Sequence, residues 1–170
     1  MKDLLFISIF ALFLTASHSD VEKPAYLIYS SNGETVLYSE LIEQIRSHDL
    51  IFFGELHNDP IAHWLQYEIA KDLIADDSRK TQIGMEMFEA DQQILINEYF
   101  SGLISQSSFE NEARLWTNYK TDYKPILELA KENNVQVIAT NIPRRYASSV
   151  FREGLDALDS LSSEAKQWIA

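Results

Sequence analysis

Short runs of apolar residues alternate along this chain with longer stretches in which apolar positions recur every three or four residues. Residues 50–53, 82–88 and 135–139 are the short runs, and their near-continuous hydrophobicity predicts strands covered on both faces. Between the first two, Ile61, Trp64, Leu65, Ile69 and Leu73 fall at helical spacing, with Asp59-Pro60 where a helix starts. The stretch between the second and third predicts three helices. One carries Ile94, Leu95 and Tyr99, one begins near Ser107 with Glu110 as its capping partner, and one covers residues 125–133 and ends at Asn133-Asn134. A further helix is expected over residues 145–158, and Ser162-Ser163-Glu164 opens another. Ahead of these, residues 25–29 and 35–38 flank Ser31-Asn32-Gly33, which has the chemistry of a hairpin turn. The alternation predicts an α/β protein with a central, mostly parallel sheet and crossover helices on both faces. Three strands leave two open edges, so a partner or a missing carboxyl-terminal part is expected to cover them.

Each strand runs into polar residues. The first leads to Gly54-Glu55-Leu56-His57-Asn58-Asp59, the second carries Glu86 within Gly84-Met85-Glu86-Met87-Phe88, and the third leads to Asn141-Ile142-Pro143-Arg144. Ligands of open parallel sheets bind outside the carboxyl ends of the strands, so these groups mark one candidate rim. Glu55 and His57 are two apart and project to the same side of extended chain. A histidine oriented by a carboxylate can serve as general base, metal ligand or haem neighbour. Glu86 needs a partner in a covered strand: Arg144 on a structural reading, His57 or a cation on a functional one. His63 sits within the first long helix, facing pocket or solvent. His48 precedes the first strand and His18 lies near the amino terminus, and both read as incidental. Tyr119 and Tyr123 are of a type that more often packs than ligates, and Asn141 and Arg144 are placed either to hold an anion or to open a helix.

Composition narrows the chemistry. The chain has 170 residues, 46% of them hydrophobic, which suits one domain with a real core. Its net charge of −12 and dispersed cations exclude nucleic acid as an expected partner. Lys2, the apolar residues 4–14 and the small polar residues 15–19 resemble a secretory signal peptide, too short to cross a bilayer core of about 20 residues. We therefore expect a signal peptide over residues 1–19, a domain over 20–170, and a periplasmic or cell-surface location. The absence of cysteine excludes disulfides, thiolate metal sites, a cysteine nucleophile and a lipoprotein anchor.

Gly54-Glu55-Leu56-His57-Asn58-Asp59-Pro60 with His63 and Leu65-Gln66, and Gly84-Met85-Glu86-Met87-Phe88 with Asp91-Gln92-Gln93, resemble the ChaN-like haem-uptake family of the wider TIKI and erythromycin-esterase-like group. Trp116, Asp122-Tyr123 with Pro125, and Asn141-Ile142-Pro143-Arg144 extend the resemblance over residues 50–161. It implies an exported haem-binding protein of iron uptake, often a homodimer with haem between subunits, working beside outer-membrane haem-uptake machinery. The resemblance also implies a longer chain, so residues of a carboxyl-terminal part, a tyrosine ligand for haem iron among them, are expected to be missing here. For haem, the candidate ligands are His57, His63 and Tyr123, with Arg144 or Arg145 for the propionates. The alternative implied by the wider group is a hydrolase using Glu55, His57 and Glu86, through a divalent metal ion or through His-assisted activation of water.

Overall fold

The computed structural model describes residues 24–169, so the expected signal peptide lies outside the described residues. The first two elements form the anticipated hairpin: β1 (Ile28–Tyr29) pairs antiparallel with β2 (Thr35–Val36), with Ile28 opposite Val36. Gly33 supplies the positive φ of 81° that the turn requires. Helix α1 (Tyr38–Arg46) follows directly, where the hydrophobic pattern gave no expectation. Glu40 accepts a hydrogen bond from the Leu37 N–H at 2.8 Å and so serves its first turn. The Tyr38 hydroxyl donates to Asp72 at 2.9 Å and ties it to the next helix.

That helix, α2 (Pro60–Ile74), begins as expected, with the Asp59 carboxylate accepting from Ile61 N at 2.9 Å and Ala62 N at 3.3 Å. Strand β3 (Gln82–Glu89) pairs in parallel with β4 (Gln136–Asn141), with Gln82 opposite Gln136 and Met85 opposite Ala139. Between them run a 3₁₀ turn (Ala90–Gln92), α3 (Gln93–Phe100), α4 (Gln106–Glu112), a π-helical turn (Tyr119–Tyr123) and α5 (Lys124–Glu132). Three helices were expected there, and three form. Asn134, at φ 55°, stops α5. The cap of α4 is Ser105 rather than a residue near Ser107, and Glu110 is drawn away to Lys124 at 2.7 Å. After β4, α6 (Arg144–Glu153) ends at Gly154, whose φ of 84° breaks the helix short of the expected residue 158. Residues Leu155–Ser160 form a 3₁₀ turn, and α7 (Ser163–Lys166) starts on its Ser162 cap as expected.

The α/β class holds, but the central parallel sheet is seen only as the pair β3–β4. Residues 50–53 join no ladder: Leu50 and Phe52 are 70% and 87% exposed. Four apolar residues satisfy the pattern of a buried strand, yet a strand exists only where a neighbour takes up its N–H and C=O groups. Nor are both sheet faces covered. Met85, Met87, Val137 and Ala139 are buried, while Gln82, Gly84, Glu86, Gln136, Ile138 and Thr140 on the alternate positions are exposed. The covered face packs into one core with Phe88, Ile96, Tyr99, Phe109, Tyr119, Tyr123, Leu127 and Ala130. The side-chain amide of Gln93 donates to Val137 O at 2.9 Å and accepts from Ala139 N at 2.7 Å. It thus occupies backbone groups of β4 that would otherwise need another strand.

Leu127 is fully buried whereas Ile94 is 61% exposed. Leu127→Ala should lower unfolding free energy by roughly 2–5 kcal/mol, and Ile94→Ala by no more than about 0.5 kcal/mol. Urea unfolding of the two variants measures the contrast, and equal losses would contradict this placement of the core.

Candidate functional site

The site is assembled by three segments around one carboxylate. Glu55 lies in the irregular segment between residues 50–53 and α2, and its side chain is only 12% exposed. Its Oε1 accepts from the Tyr123 hydroxyl at 2.5 Å and faces His57 Nδ1 at 3.0 Å. Its Oε2 accepts from Gln66 Nε2 at 2.6 Å, with His63 Nδ1 3.5 Å away. Gln66 and His63 share a face of α2 because they are three residues apart. Burial alone would raise the Glu55 pKa, but the hydrogen bonds from Tyr123, Gln66 and His57 outweigh it and hold the carboxyl below its ordinary value.

The partners of each ring decide what it can offer. A carboxylate only accepts, so His57 Nδ1 donates to Glu55, and in the neutral ring Nε2 keeps a lone pair. The His57 side chain is 54% exposed, and its ring meets Trp116 edge-on with centroids 4.7 Å apart. Asn118 Nδ2 donates to the His57 carbonyl at 2.6 Å and to Asp122 at 2.7 Å, which fixes the backbone beneath the ring. His63 is different. Its side chain is 2% exposed, its Nδ1 lies 3.0 Å from Gln66 Oε1, and its Nε2 lies 3.1 Å from the His57 carbonyl. Both nitrogens face acceptors, with Glu55 and Asp122 as nearby carboxylates. Tyr123 is buried between the His63 and Trp116 rings, at centroid distances of 4.7 and 5.3 Å. Burial and then its bond to Glu55 push the phenol pKa well up, so the hydroxyl stays a donor.

The structure thus brings Glu55, His57, His63 and Tyr123 together and leaves two expected members apart. Glu86 is exposed on the open face of β3 and pairs with neither His57 nor Arg144 among the described residues, because that face is not covered. Arg144 is exposed, and it is Arg145 that pairs with Asp91. Tyr119 is a buried core aromatic, and His48 bonds to the Gln44 carbonyl at 2.9 Å away from the site. Gln66, Trp116 and Asp122 were visible only through family likeness, and Asn118 gave no signal. The spacing of Gln66 from His63 on one helix face was the usable clue.

A cofactor must fit these donors. Among the described residues no three His, Asp or Glu side chains assemble as a metal-ion site, and the set Glu55, His57 and Glu86 does not fit a divalent metal because Glu86 lies apart. Haem asks for less, a single axial donor beside a planar apolar surface, and His57 with Trp116 fits that demand.

The chain is thus an α/β protein in which a part-buried carboxylate orients a half-exposed imidazole beside an indole. Residues 41–170 match the family described as haem-binding uptake, Tiki superfamily, ChaN, and the chain belongs to that family. No curated protein and no solved structure matches it.

The depressed Glu55 pKa has a signed consequence. A carboxyl whose folded pKa lies below its unfolded value, about 4.3, stabilises the fold fully above that value and loses the contribution as pH falls through the folded one. The stability gap between wild type and Glu55→Gln should therefore be full at pH 7 and close below about pH 4. Urea midpoints against pH measure it, and a gap that persists unchanged into acid would contradict an ionised Glu55.

Proposed function

We propose that this chain binds haem through His57 and serves haem and iron uptake outside the cytoplasm. The observation that carries the reading is the His57 ring itself, locked by Glu55 through Nδ1 and half exposed at its other edge beside Trp116. A histidine that donates its second N–H to a carboxylate has a fixed tautomer and ring orientation. The iron of haem would supply the coordination bond, and the chain supplies the donor. His63 and Tyr123 are already engaged around Glu55, so they act as positioning residues rather than iron ligands. Membership of the haem-binding uptake family supports the same ligand.

The remaining expectations follow from this reading. Residues 1–19 act as the export signal, and the protein works in the periplasm or at the cell surface, beside outer-membrane uptake machinery. Residues 50–53 are proposed to complete the parallel sheet as a third strand once a covering layer or the second subunit of a homodimer is present, since Leu50, Phe52 and Ile138 then leave water.

One observation favours a second reading. A carboxylate-oriented imidazole can also act as general base toward water, so a His-assisted hydrolase of esters or peptides uses the same Glu55–His57 pair without a metal ion.

Haemin titration tests the first reading. The wild type should give a Soret shift that His57→Ala abolishes and Tyr123→Phe retains, while Glu55→Gln weakens affinity by about 10–100-fold. A wild-type spectrum identical to that of free haemin would overturn it. Turnover of an ester or peptide, lost in Glu55→Gln, would establish the second reading instead.

A further inference from the structure

Helix α6 commits little of its surface to the molecule. None of its residues is buried, and Tyr146 and Val150, four apart and therefore on one side, are its half-buried apolar pair. On the other side Arg144, Ala147, Phe151 and Arg152 recur at the i, i+3, i+7 and i+8 spacing of a single helical face, and all four are exposed. Phe151 is 91% exposed, and exposed apolar residues flank the helix at both ends, Ile142 at 48% and Leu155 at 73%. The charges of α6 are opposite to those of the chain as a whole. Over the sequence 26 Asp and Glu outnumber 14 Lys and Arg, whereas α6 holds three arginines against one glutamate. Arg145 is taken by Asp91, but Arg144 forms no ion pair among the described residues. Arg152 meets Glu153 at 3.8 Å with both side chains more than half exposed, a contact too open to hold it.

We propose that α6 is a membrane-docking helix that lies on an anionic lipid surface, with Phe151 entering the headgroup layer and Arg144 and Arg152 meeting lipid phosphates. The proposal stands apart from the haem-binding reading. Its chemistry selects this occupant. Arg144 and Arg152 are about 12 Å apart along the helix axis, with Ala147 and Phe151 between them, so two cations bracket an apolar stretch as in helices that lie in a lipid interface. Phe151 stands clear of the surface, which suits entry into a soft layer. A second copy docked face to face would set these arginines against their own equivalents, which repel. The acidic remainder of the protein is also repelled by an anionic surface, so the favourable orientation is the one that turns α6 toward the lipid. One aromatic side chain and two cations make this a weak, reversible contact.

Flotation of the full chain with lipid vesicles tests the surface, since residues 1–23 are common to every variant. The wild type should bind vesicles containing phosphatidylglycerol and not vesicles of phosphatidylcholine alone, and added salt should weaken the binding. Phe151→Ser should weaken it about tenfold, and Arg144→Glu with Arg152→Glu at least as much. Phe151→Leu, and Arg144→Lys with Arg152→Lys, should retain it, which separates a lost contact from a lost fold. No wild-type binding, equal binding to both vesicle types, or binding that survives unchanged in the serine or the glutamate variant would overturn the proposal. Self-association without vesicles that Phe151→Ser abolishes would assign the face to a protein partner and overturn it as well.

Discussion

The Glu55 carboxylate gathers hydrogen bonds from three separate stretches of chain, and the geometry of the rim depends on that convergence. Tyr123 reaches it from the π-helical turn, Gln66 from α2 and His57 from its own segment. A carboxylate largely withdrawn from water is costly to leave unpaired, so these donors are required by the charge as much as they orient it. Removing the charge would release the phenol, the amide and the imidazole together. Because α2 also buries His63 against the His57 carbonyl, the helix and the irregular segment before it are locked at two points.

The same logic organises the cluster in which Asp91, just beyond β3, takes Arg114 and Arg145. Asp91 stands to Arg114 and Arg145 as Glu55 stands to His57: an acceptor with limited exposure fixes a more exposed cationic or basic group and leaves part of it facing solvent. Each carboxylate is an inner support and each nitrogen-bearing ring or plane an outer contact. The Asp91 cluster is seated on the sheet, since Glu89 ends β3 and Arg145 follows shortly after β4.

How much of this was legible in sequence depended on how local the signal was. The Asp59 cap, the hairpin turn, the number of helices between β3 and β4 and the proximity of Glu55 to His57 follow from spacings of a few residues, and they form as read, although Ser105 rather than a residue near Ser107 caps α4. Non-local matters failed. Apolar residues 50–53 announce a strand, but nothing in those four letters says whether a neighbour is present to pair with them. Glu86 was judged by the burial expected of its strand, and the open face of β3 removed that premise. Helix α1 escaped because its local signals are capping and amphipathic ones that follow a strand without a gap. Arg114 escaped because its partners are 23 and 25 residues away in sequence.

The π-helical turn at Tyr119–Tyr123 carries a history in its geometry. Such a turn holds one residue more than an α-helix would over the same path. Each residue of an α-helix rotates the chain by about 100°, so the extra one sets the phase of everything joined to it. In the present phase Tyr119 enters the core, Tyr123 meets Glu55 and Leu127 returns to the core, four residues apart each time. A lineage that lost a single residue here would keep a good helix and an intact hydrophobic composition, yet would swing Tyr123 or Leu127 out of place. The turn is thus the point where a one-codon deletion would disturb the core at Leu127 or the rim at Tyr123, and its length is a diagnostic to read in any relative before its side chains are compared.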